Sequence, residues 1–215
     1  MNVRGVLIGL GFVVVCTSAP RADDALGAQV GAGYLPMSDW DDFWQDTAGS
    51  VSQEGHLGLY TEVSLTSRLT QRHALRFTFE WITTSSWAAF DLGGTGAYTV
   101  EWDFETFPVC ASYELTLRGA GPGVLTTLGV GAGYYMSEVK SSTIGFINPT
   151  SDTRHGDGYG FHGYLRQTAL IAEHLSLSGM IRGRWADGMA FDDNEGDIQV
   201  EFSGVDVSLG LEWRI

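Results

Sequence analysis

The sequence predicts an all-β fold, a single closed, antiparallel, up-and-down transmembrane β-barrel of about eight strands. Three observations predict it. Apolar and polar residues alternate with a period of two over segments of about ten residues. These segments are joined by alternately short and long connections, and the chain is rich in glycine (29 residues) and in aromatic residues (12%). A length of 215 residues fits one domain of this kind.

The amino end predicts a cleaved signal peptide over residues 1–22, with the barrel domain over residues 23–215. Arg4 supplies a positive start, Val6 to Val15 form an apolar stretch, and Ala19 to Ala22 form a small-residue exit. An apolar stretch of about ten residues is too short for a helix that spans a membrane. A lipoprotein signal at Cys16 is disfavoured because Val15 precedes it where a small residue is needed.

Charge and cysteine content limit the partners of the processed chain. Loss of Arg4 and Arg21 lowers the number of basic residues from 12 to ten, against 26 acidic ones, so the formal charge becomes −16. Such acidity disfavours nucleic acid as a partner and favours divalent cations or cationic ligands. No cofactor is predicted. Cys110 is then the single cysteine, so the chain forms no intrachain disulfide.

Eight segments carry the alternation, and the last shows it most clearly. There the residues from Val205 to Ile215 at odd positions are apolar, whereas those from Asp206 to Arg214 at even positions are polar or glycine. No helical period fits this pattern. The predicted strands lie in Leu26–Tyr34, Leu57–Leu65, Leu75–Trp81, Tyr98–Leu117, Thr127–Met136, Tyr159–Ile171, Leu175–Trp185 and Val205–Ile215.

Glycine is concentrated on the predicted inner face of two strands. In the first strand it occupies Gly27, Gly31 and Gly33, and in the fifth it recurs at every second position from Gly129 to Gly133. Small inner residues suit a narrow barrel, where side chains from facing strands compete for one lumen.

The connections alternate in length, as in barrels of the bacterial outer membrane, where periplasmic turns are short and extracellular loops are long. This predicts an integral outer-membrane protein with both termini in the periplasm. The short connections are Ser67–Arg72, Arg118–Gly123 and Ala172–His174, and the long ones are Met37–Gly55, Trp87–Ala97, Lys140–Asp157 and Asp187–Asp197. Interfacial aromatics are expected near strand ends, at Tyr34, Trp81, Trp102, Tyr134, Tyr159 and Trp185 on one side and at Tyr113 and Trp213 on the other.

Two changes of parity predict β-bulges. Val100, Trp102 and Phe104 share one face, but the apolar set continues at odd positions from Phe107 onward. One extra residue near Glu105 to Phe107 would restore the register. A similar change before Val205 predicts a bulge at Gly204.

Charged residues lie opposite the apolar stripes and predict a polar lumen. A soluble, lipocalin-like barrel with its apolar face inward is the alternative, but so many charges in its cavity would be costly. The charges are expected to pair, either as a plug that stabilises the barrel or as a gate for ions. The predicted lumen charge network comprises Glu62, Arg76, Glu80, Glu101, Asp103, Arg166, Arg182, Arg184 and Glu212.

The long connections hold a second candidate site of acidic and aromatic residues. Carboxylates suit Ca²⁺ or Mg²⁺, and clustered aromatics suit lipid, lipopolysaccharide or a partner protein, although solvated acidic loops are the simpler interpretation. These candidates are Asp39, Trp40, Asp41, Asp42, Trp44, Asp192, Asp193, Glu195 and Asp197.

Catalytic residues are not predicted. His174 and Ser176 share a face at a short turn, but no acid on that face would orient the histidine. His162 is interpreted as part of the polar lumen, and His155 lacks a neighbouring nucleophile.

Four short motifs resemble the small outer-membrane β-barrel family of the OmpA-barrel and OmpW type. They are Phe107-Pro108-Val109, the glycine-rich run from Leu128 to Tyr134, Gly160-Phe161-His162-Gly163 and Phe202-Ser203-Gly204. The resemblance covers the processed chain and implies a Gram-negative envelope protein that contacts outer-membrane lipid and lipopolysaccharide and is inserted by the barrel-assembly machinery. Members typically end in Phe, which that machinery reads, where this chain ends in Ile215.

The function expected from these observations is a non-enzymatic structural or surface-interaction role in the cell envelope. A narrow, porin-like pore for ions or small solutes is the first alternative. An enzyme that modifies lipid A is the second.

Overall fold

The computed structural model describes residues 24–35, 51–52, 57–91, 97–121, 123–145, 151–191, 198–200 and 202–215. Ten antiparallel strands form one sheet in this part of the chain. They are β1 (Ala25–Tyr34), β2 (Val51–Ser52), β3 (Leu57–Arg68), β4 (His73–Asp91), β5 (Ala97–Gly121), β6 (Val124–Ile144), β7 (Ser151–Leu170), β8 (Leu175–Phe191), β9 (Ile198–Val200) and β10 (Gly204–Arg214).

Eight of these strands close into a ring. Each pairs with its neighbours along the chain, and β10 pairs with both β1 and β8, from Ala25 opposite Arg214 to Gly204 opposite Arg184. The short β2 pairs with β4, and β9 pairs with β8. Closure removes the unpaired strand edges that a membrane would not tolerate. The predicted up-and-down barrel of eight strands is confirmed, and no described helix is long and apolar enough to cross a membrane.

Short turns join the strands at the end of the barrel that also holds both described chain ends, here called the short-turn end. The turn between β3 and β4 is stabilised by the Thr70 hydroxyl, which accepts hydrogen bonds from the backbone N–H groups of Arg72 and His73 (both 3.2 Å). Gly123 takes a φ of 85° between β5 and β6, a conformation that glycine adopts without strain. Each of the three predicted short connections contains a turn, but β3 continues through Ser67 to Arg68 and β5 continues to Gly121, so the first two turns are shorter than predicted. The opposite end is called the long-loop end.

The strands differ greatly in length. β1, β3 and β10 have 10 to 12 residues, close to the 9–11 that cross a bilayer, whereas β4 to β8 have 17 to 25. We call the parts of β4 to β8 beyond the other strands the extended wall. The predicted long connections Trp87–Ala97, Lys140–Asp157 and Asp187–Asp197 were wrong in extent, because these strands continue through much of each.

The outer surface of β4 to β7 changes from apolar to polar over two outward-facing rows of paired residues. One row of paired residues consists of Phe79, Val109, Tyr134 and Tyr159. It belongs to the apolar outer surface of the part of the barrel nearer the short-turn end, which we call the apolar belt. Two rows further toward the long-loop end, the paired residues are Thr83, Glu105, Glu138 and His155. We place the edge of the membrane between these rows, since hydrocarbon excludes such side chains.

The predicted bulge near Glu105 to Phe107 is absent. Strand β5 pairs with β6 in one continuous register from Thr99 to Leu117. The apolar residues change parity because the environment changes: in the extended wall the inside is apolar and the outside faces water. Trp102 accordingly points inward and is only 4% exposed, so its predicted place among the interfacial aromatics was wrong.

Near Gly204 the pairing does shift by one residue, since Val200 pairs with Met189 and Gly204 with Arg184. Phe202 is nevertheless on the inner face, 1% exposed, and its backbone N–H donates to the Ala186 carbonyl (2.7 Å). Its place inside follows from the apolar interior of the extended wall rather than from a bulge.

Glycine on the inner face makes room for tyrosine. A Cβ at Gly129 would lie 2.1 Å from the ring of Tyr164, its partner across the β6–β7 pair, and one at Gly31 would lie 2.4 Å from the ring of Tyr60. Both rings therefore lie flat against the facing backbone, as the prediction of a narrow, glycine-lined lumen requires.

Candidate functional site

Seven of the nine charged residues predicted for the lumen lie together inside the barrel. They are on the inner faces of the strands, where the period of two places them, and each is buried. These residues are Glu62, Arg76, Glu80, Arg166, Arg182, Arg184 and Glu212.

The other two, Glu101 and Asp103, were placed wrongly. Both are exposed on the outer face of the extended wall, while their neighbours Trp102 and Phe104 point inward. The prediction took every apolar stripe as lipid-facing, but beyond the membrane water reverses the preference of each face.

The upper part of the network is centred on two arginines of β8. Arg184 donates to Glu80 Oε2 (3.1 Å) and to Asp206 Oδ2 (2.9 Å from Nε and 2.6 Å from Nη2). Arg182 donates to Asp206 Oδ2 (3.2 Å), Glu80 Oε1 (2.6 Å) and Glu62 Oε2 (3.0 Å). Their guanidinium carbons also lie 5.7 Å and 5.0 Å from the ring centroid of Tyr60.

Two like charges face each other in this region. Glu62 of β3 and Glu80 of β4 are directly paired across the strands, an arrangement that by itself is destabilising. Nη1 of Arg182 contacts both carboxylates and offsets their repulsion. Loss of Arg182 would therefore leave two neighbouring buried anions.

The lower part of the network continues toward the short-turn end. Arg76 links Glu62 (2.7 Å) to Glu212 (3.3 Å), and Arg166 links Glu212 to Glu114. Nη2 of Arg166 contacts both carboxylate oxygens of Glu114, at 2.8 Å and 2.7 Å, and such charge-assisted hydrogen bonds are strong. The ion pairs thus form one continuous chain from Arg184 to Glu114.

Sequence reasoning omitted two members, Glu114 and Asp206. The alternation of β5 and β10 places both inward, so their parity was the signal that could have included them. His162 lies in the lumen, as its interpretation as a polar lumen residue requires, with its Nε2 2.7 Å from the Ser112 hydroxyl. Tyr164 donates to Glu114 (2.6 Å).

Above the network, the lumen is filled by apolar side chains. Tyr135, 1% exposed, lies at the level where the lining changes from charged to apolar, and Phe104 and Trp102 lie beyond it in the extended wall. We call this group the apolar cap: Leu35, Tyr60, Ile82, Ala88, Trp102, Phe104, Tyr135, Val139, Ala186 and Phe202.

Below the network, the lumen opens into a small recess at the short-turn end. Its cavity of about 50 Å³ is lined by hydroxyl groups, by arginines and by the two carboxylates Glu114 and Glu212, both of which are paired with Arg166. Arg166 forms its inner boundary, while Arg68 and Arg214 lie at the last residues of β3 and β10.

The extended wall carries charges on its outer surface. Lys140 of β6 contacts Glu105 of the neighbouring β5 (3.2 Å) and Glu138 of its own strand (3.4 Å). The hydrogen bond to Glu105 raises the pKa of the Lys140 ammonium by stabilising its charged form. His155 Nδ1 lies 3.7 Å from Glu138.

Within the described ranges, no cluster of three or more His, Cys, Asp or Glu side chains is arranged to hold a metal ion. The predicted sites for cations or partners in the long connections, and the signal peptide over residues 1–22, lie outside the described residues. The former are Asp39, Trp40, Asp41, Asp42, Trp44, Asp192, Asp193, Glu195 and Asp197.

No family model matches the sequence, and no curated protein matches it. Solved structures do. The outer membrane protein OprG from Pseudomonas aeruginosa is 10% identical over 91% of this chain and 97% of its own, with a TM-score of 0.54. A major outer membrane protein from Thermus thermophilus is 16% identical over 89% and 99%, with a TM-score of 0.53. The outer membrane protease OmpT from Escherichia coli is 6% identical over 93% and 99%, with a TM-score of 0.52.

At these identities the likeness shows the fold alone. It agrees with the closed ring and with the apolar belt. The chain has the fold of the outer-membrane β-barrels, as its resemblance to the OmpA-barrel and OmpW type implies.

Proposed function

We propose that this chain is an integral outer-membrane barrel that does not conduct and that serves the cell envelope in a structural or surface-interaction role. In this proposal the belt lies in the bilayer, the extended wall stands outside the cell, and the termini lie in the periplasm. Strands β1 and β10 have the length of a membrane crossing, which supports this placement.

The observation that carries the proposal is the filled lumen. Ion pairs occupy it from Glu114 to Arg184, and the apolar cap occupies it above them. An eight-stranded barrel is just wide enough to be filled by its own side chains. Ions would have to break several buried pairs and then pass an apolar region, and both steps are costly.

The test is a conductance recording of the refolded protein in planar bilayers, with a porin in the same lipids as the positive control. We expect no regular current steps. Regular steps that change in size after Arg182→Glu or Glu80→Arg would contradict the proposal and establish the narrow pore instead.

The proposal gives the extended wall the main role in contacts. The exposed residues Lys140, Glu101 and Asp103 lie beyond the apolar belt toward the long-loop end, where lipopolysaccharide head groups would lie. We propose lipid and lipopolysaccharide as the permanent neighbours, divalent cations as bridges to acidic groups, and the barrel-assembly machinery as the partner during insertion. Co-purification of lipopolysaccharide that is reduced by a chelator would support the cation bridge.

We also propose that the barrel is not an enzyme. The Ser112–His162 hydrogen bond has the form of a nucleophile and base, but both side chains are buried in the filled lumen, beyond the reach of a lipid. His174 instead packs against Trp213, at 6.1 Å between ring centroids, while Ser176 is buried inside. The mass of lipid A from cells that express the protein should be unchanged; a shift abolished by Ser112→Ala would overturn this.

A further inference from the structure

The recess at the short-turn end differs from the network above it in the balance of its charges. Within the network, every guanidinium has carboxylate partners. Arg68 and Arg214 line the recess, and neither has a carboxylate within ion-pair distance among the described residues. The two carboxylates that also line the recess, Glu114 and Glu212, are already paired with Arg166 and Arg76, so Arg68 and Arg214 remain without a carboxylate partner in the described part of the chain.

Hydrogen-bond donors surround these cations. Five hydroxyl-bearing side chains, Thr66, Thr116, Thr127, Thr168 and Ser176, line the same cavity. Arg166 is 4% exposed, and its Nε–H has no hydrogen-bond acceptor in the described part of the chain. A buried donor without an acceptor is costly, so Arg166, which lines the recess, has an unmet demand for an acceptor atom.

We propose that this recess is an anion-binding site. It holds the phosphate or carboxylate group of a water-soluble molecule between Arg68, Arg214 and Arg166. The guanidinium fork matches the geometry of such oxygens. A cavity of about 50 Å³ has room for a few water molecules or one such group.

The position of the recess inside the ring of strands determines which anions can reach it. Arg68 continues the inner face of β3 that holds Glu62, and Arg214 continues the inner face of β10 that holds Glu212. Their side chains therefore line the lumen rather than the lipid surface. A solute or peptide in the adjoining aqueous compartment can reach them, whereas the head groups of the surrounding bilayer lie outside the ring.

The test is calorimetric titration of the folded barrel, in a non-ionic detergent at fixed ionic strength, with inorganic phosphate and with acetate. We expect saturable binding of at least one probe. Arg68→Gln and Arg214→Gln should each weaken it about tenfold, as expected when one charge-assisted contact is lost. Arg72→Gln is the matched control, since Arg72 lies in the exposed turn at the same end but does not line the recess.

Neither substitution orphans a carboxylate, so both variants should fold, and unchanged heat-modifiable migration on gels would verify it. Absence of saturable binding to either probe would overturn the proposal. An equal loss in Arg72→Gln would overturn it too, because it would show a diffuse positive surface. The result does not depend on whether the barrel conducts.

Discussion

Strand β5 shows two regions of this barrel side by side. In the belt, the outward-facing residues are Tyr113, Ala111 and Val109, and the inward-facing ones include Glu114 and Ser112. In the extended wall, the same strand in the same register turns charged residues outward, at Glu105, Asp103 and Glu101, and large apolar ones inward, at Phe104 and Trp102.

The alternation of apolar and polar residues shows that the two faces of a strand meet different environments. It does not show which face lies inside the barrel. Below the boundary, lipid lies outside, so apolar side chains face outward and polar ones must satisfy each other in the lumen. Above it, water lies outside, and the interior becomes an ordinary apolar core. Substitutions on the two sides of the boundary should therefore have opposite consequences for inner and outer positions.

The lumen of the belt should depend most strongly on Arg182. Arg182→Met leaves Glu62, Glu80 and Asp206 without one of their shared cations, and we expect a loss of about 3–5 kcal/mol in the free energy of unfolding. Urea unfolding in detergent micelles, followed by tryptophan fluorescence, measures it. Arg154→Met is the control: its pair with Asp152 is exposed, so we expect a change of at most about 1 kcal/mol. Equal effects would refute the distinction between lumen and wall.

The interior of the extended wall should behave as an apolar core. Trp102→Ala, at a side chain 4% exposed, should cost about 3–5 kcal/mol through lost burial and a residual cavity. The adjacent Glu101→Gln faces water and should change stability by less than about 0.5 kcal/mol. The same unfolding assay decides. The opposite ranking would mean that Trp102 faces outward and that the bulge exists after all.

The outer face should tolerate charge above the boundary but not below it. Ala111→Arg lies within the belt and should destabilise the barrel by about 2–4 kcal/mol, whereas Asp103→Arg, on the same face of the same strand, should cost about 0–1 kcal/mol. Refolding into lipid vesicles with urea titration measures both. Similar costs at the two positions would place Asp103 inside the membrane.

Packing inside the belt should be sensitive to a single methyl group. Gly129→Ala forces a Cβ against the ring of Tyr164 and should cost about 1–3 kcal/mol. Gly163→Ala is matched in chemistry but faces outward, where the nearest atom would be 3.8 Å away, and should be close to neutral. The measurement for both variants is the temperature above which the protein no longer migrates on gels as the folded barrel. A neutral Gly129→Ala would show that the lumen has spare volume.

Much of the fold was predictable because it rests on local patterns. The eight strands, the three short turns and the inward direction of Arg76, Glu80 and Arg182 all follow from a period of two and from connection lengths. The extent of β4 to β8 was not predictable, since the polar residues from Lys140 to Thr143 are consistent with either a loop or a strand outside the membrane.

The candidate site was likewise predictable only in part. Parity alone could have placed Glu114 and Asp206 inside, yet only the ring of strands brings Arg182 of β8 between Glu62 of β3 and Glu80 of β4, more than 100 residues away in sequence. The unpaired charges of Arg68 and Arg214 likewise lie together only because the ends of β3 and β10 line the same recess.

The strands, their closure into a narrow barrel and the residues that share a face could be predicted from local sequence, because β-structure imposes a period of two that side-chain polarity must obey. The three-dimensional arrangement was needed to establish which face is inside at each level, which charges pair and where cations stay unpaired. The physical reason is that these properties depend on the medium around each strand and on neighbours that lie far away along the chain.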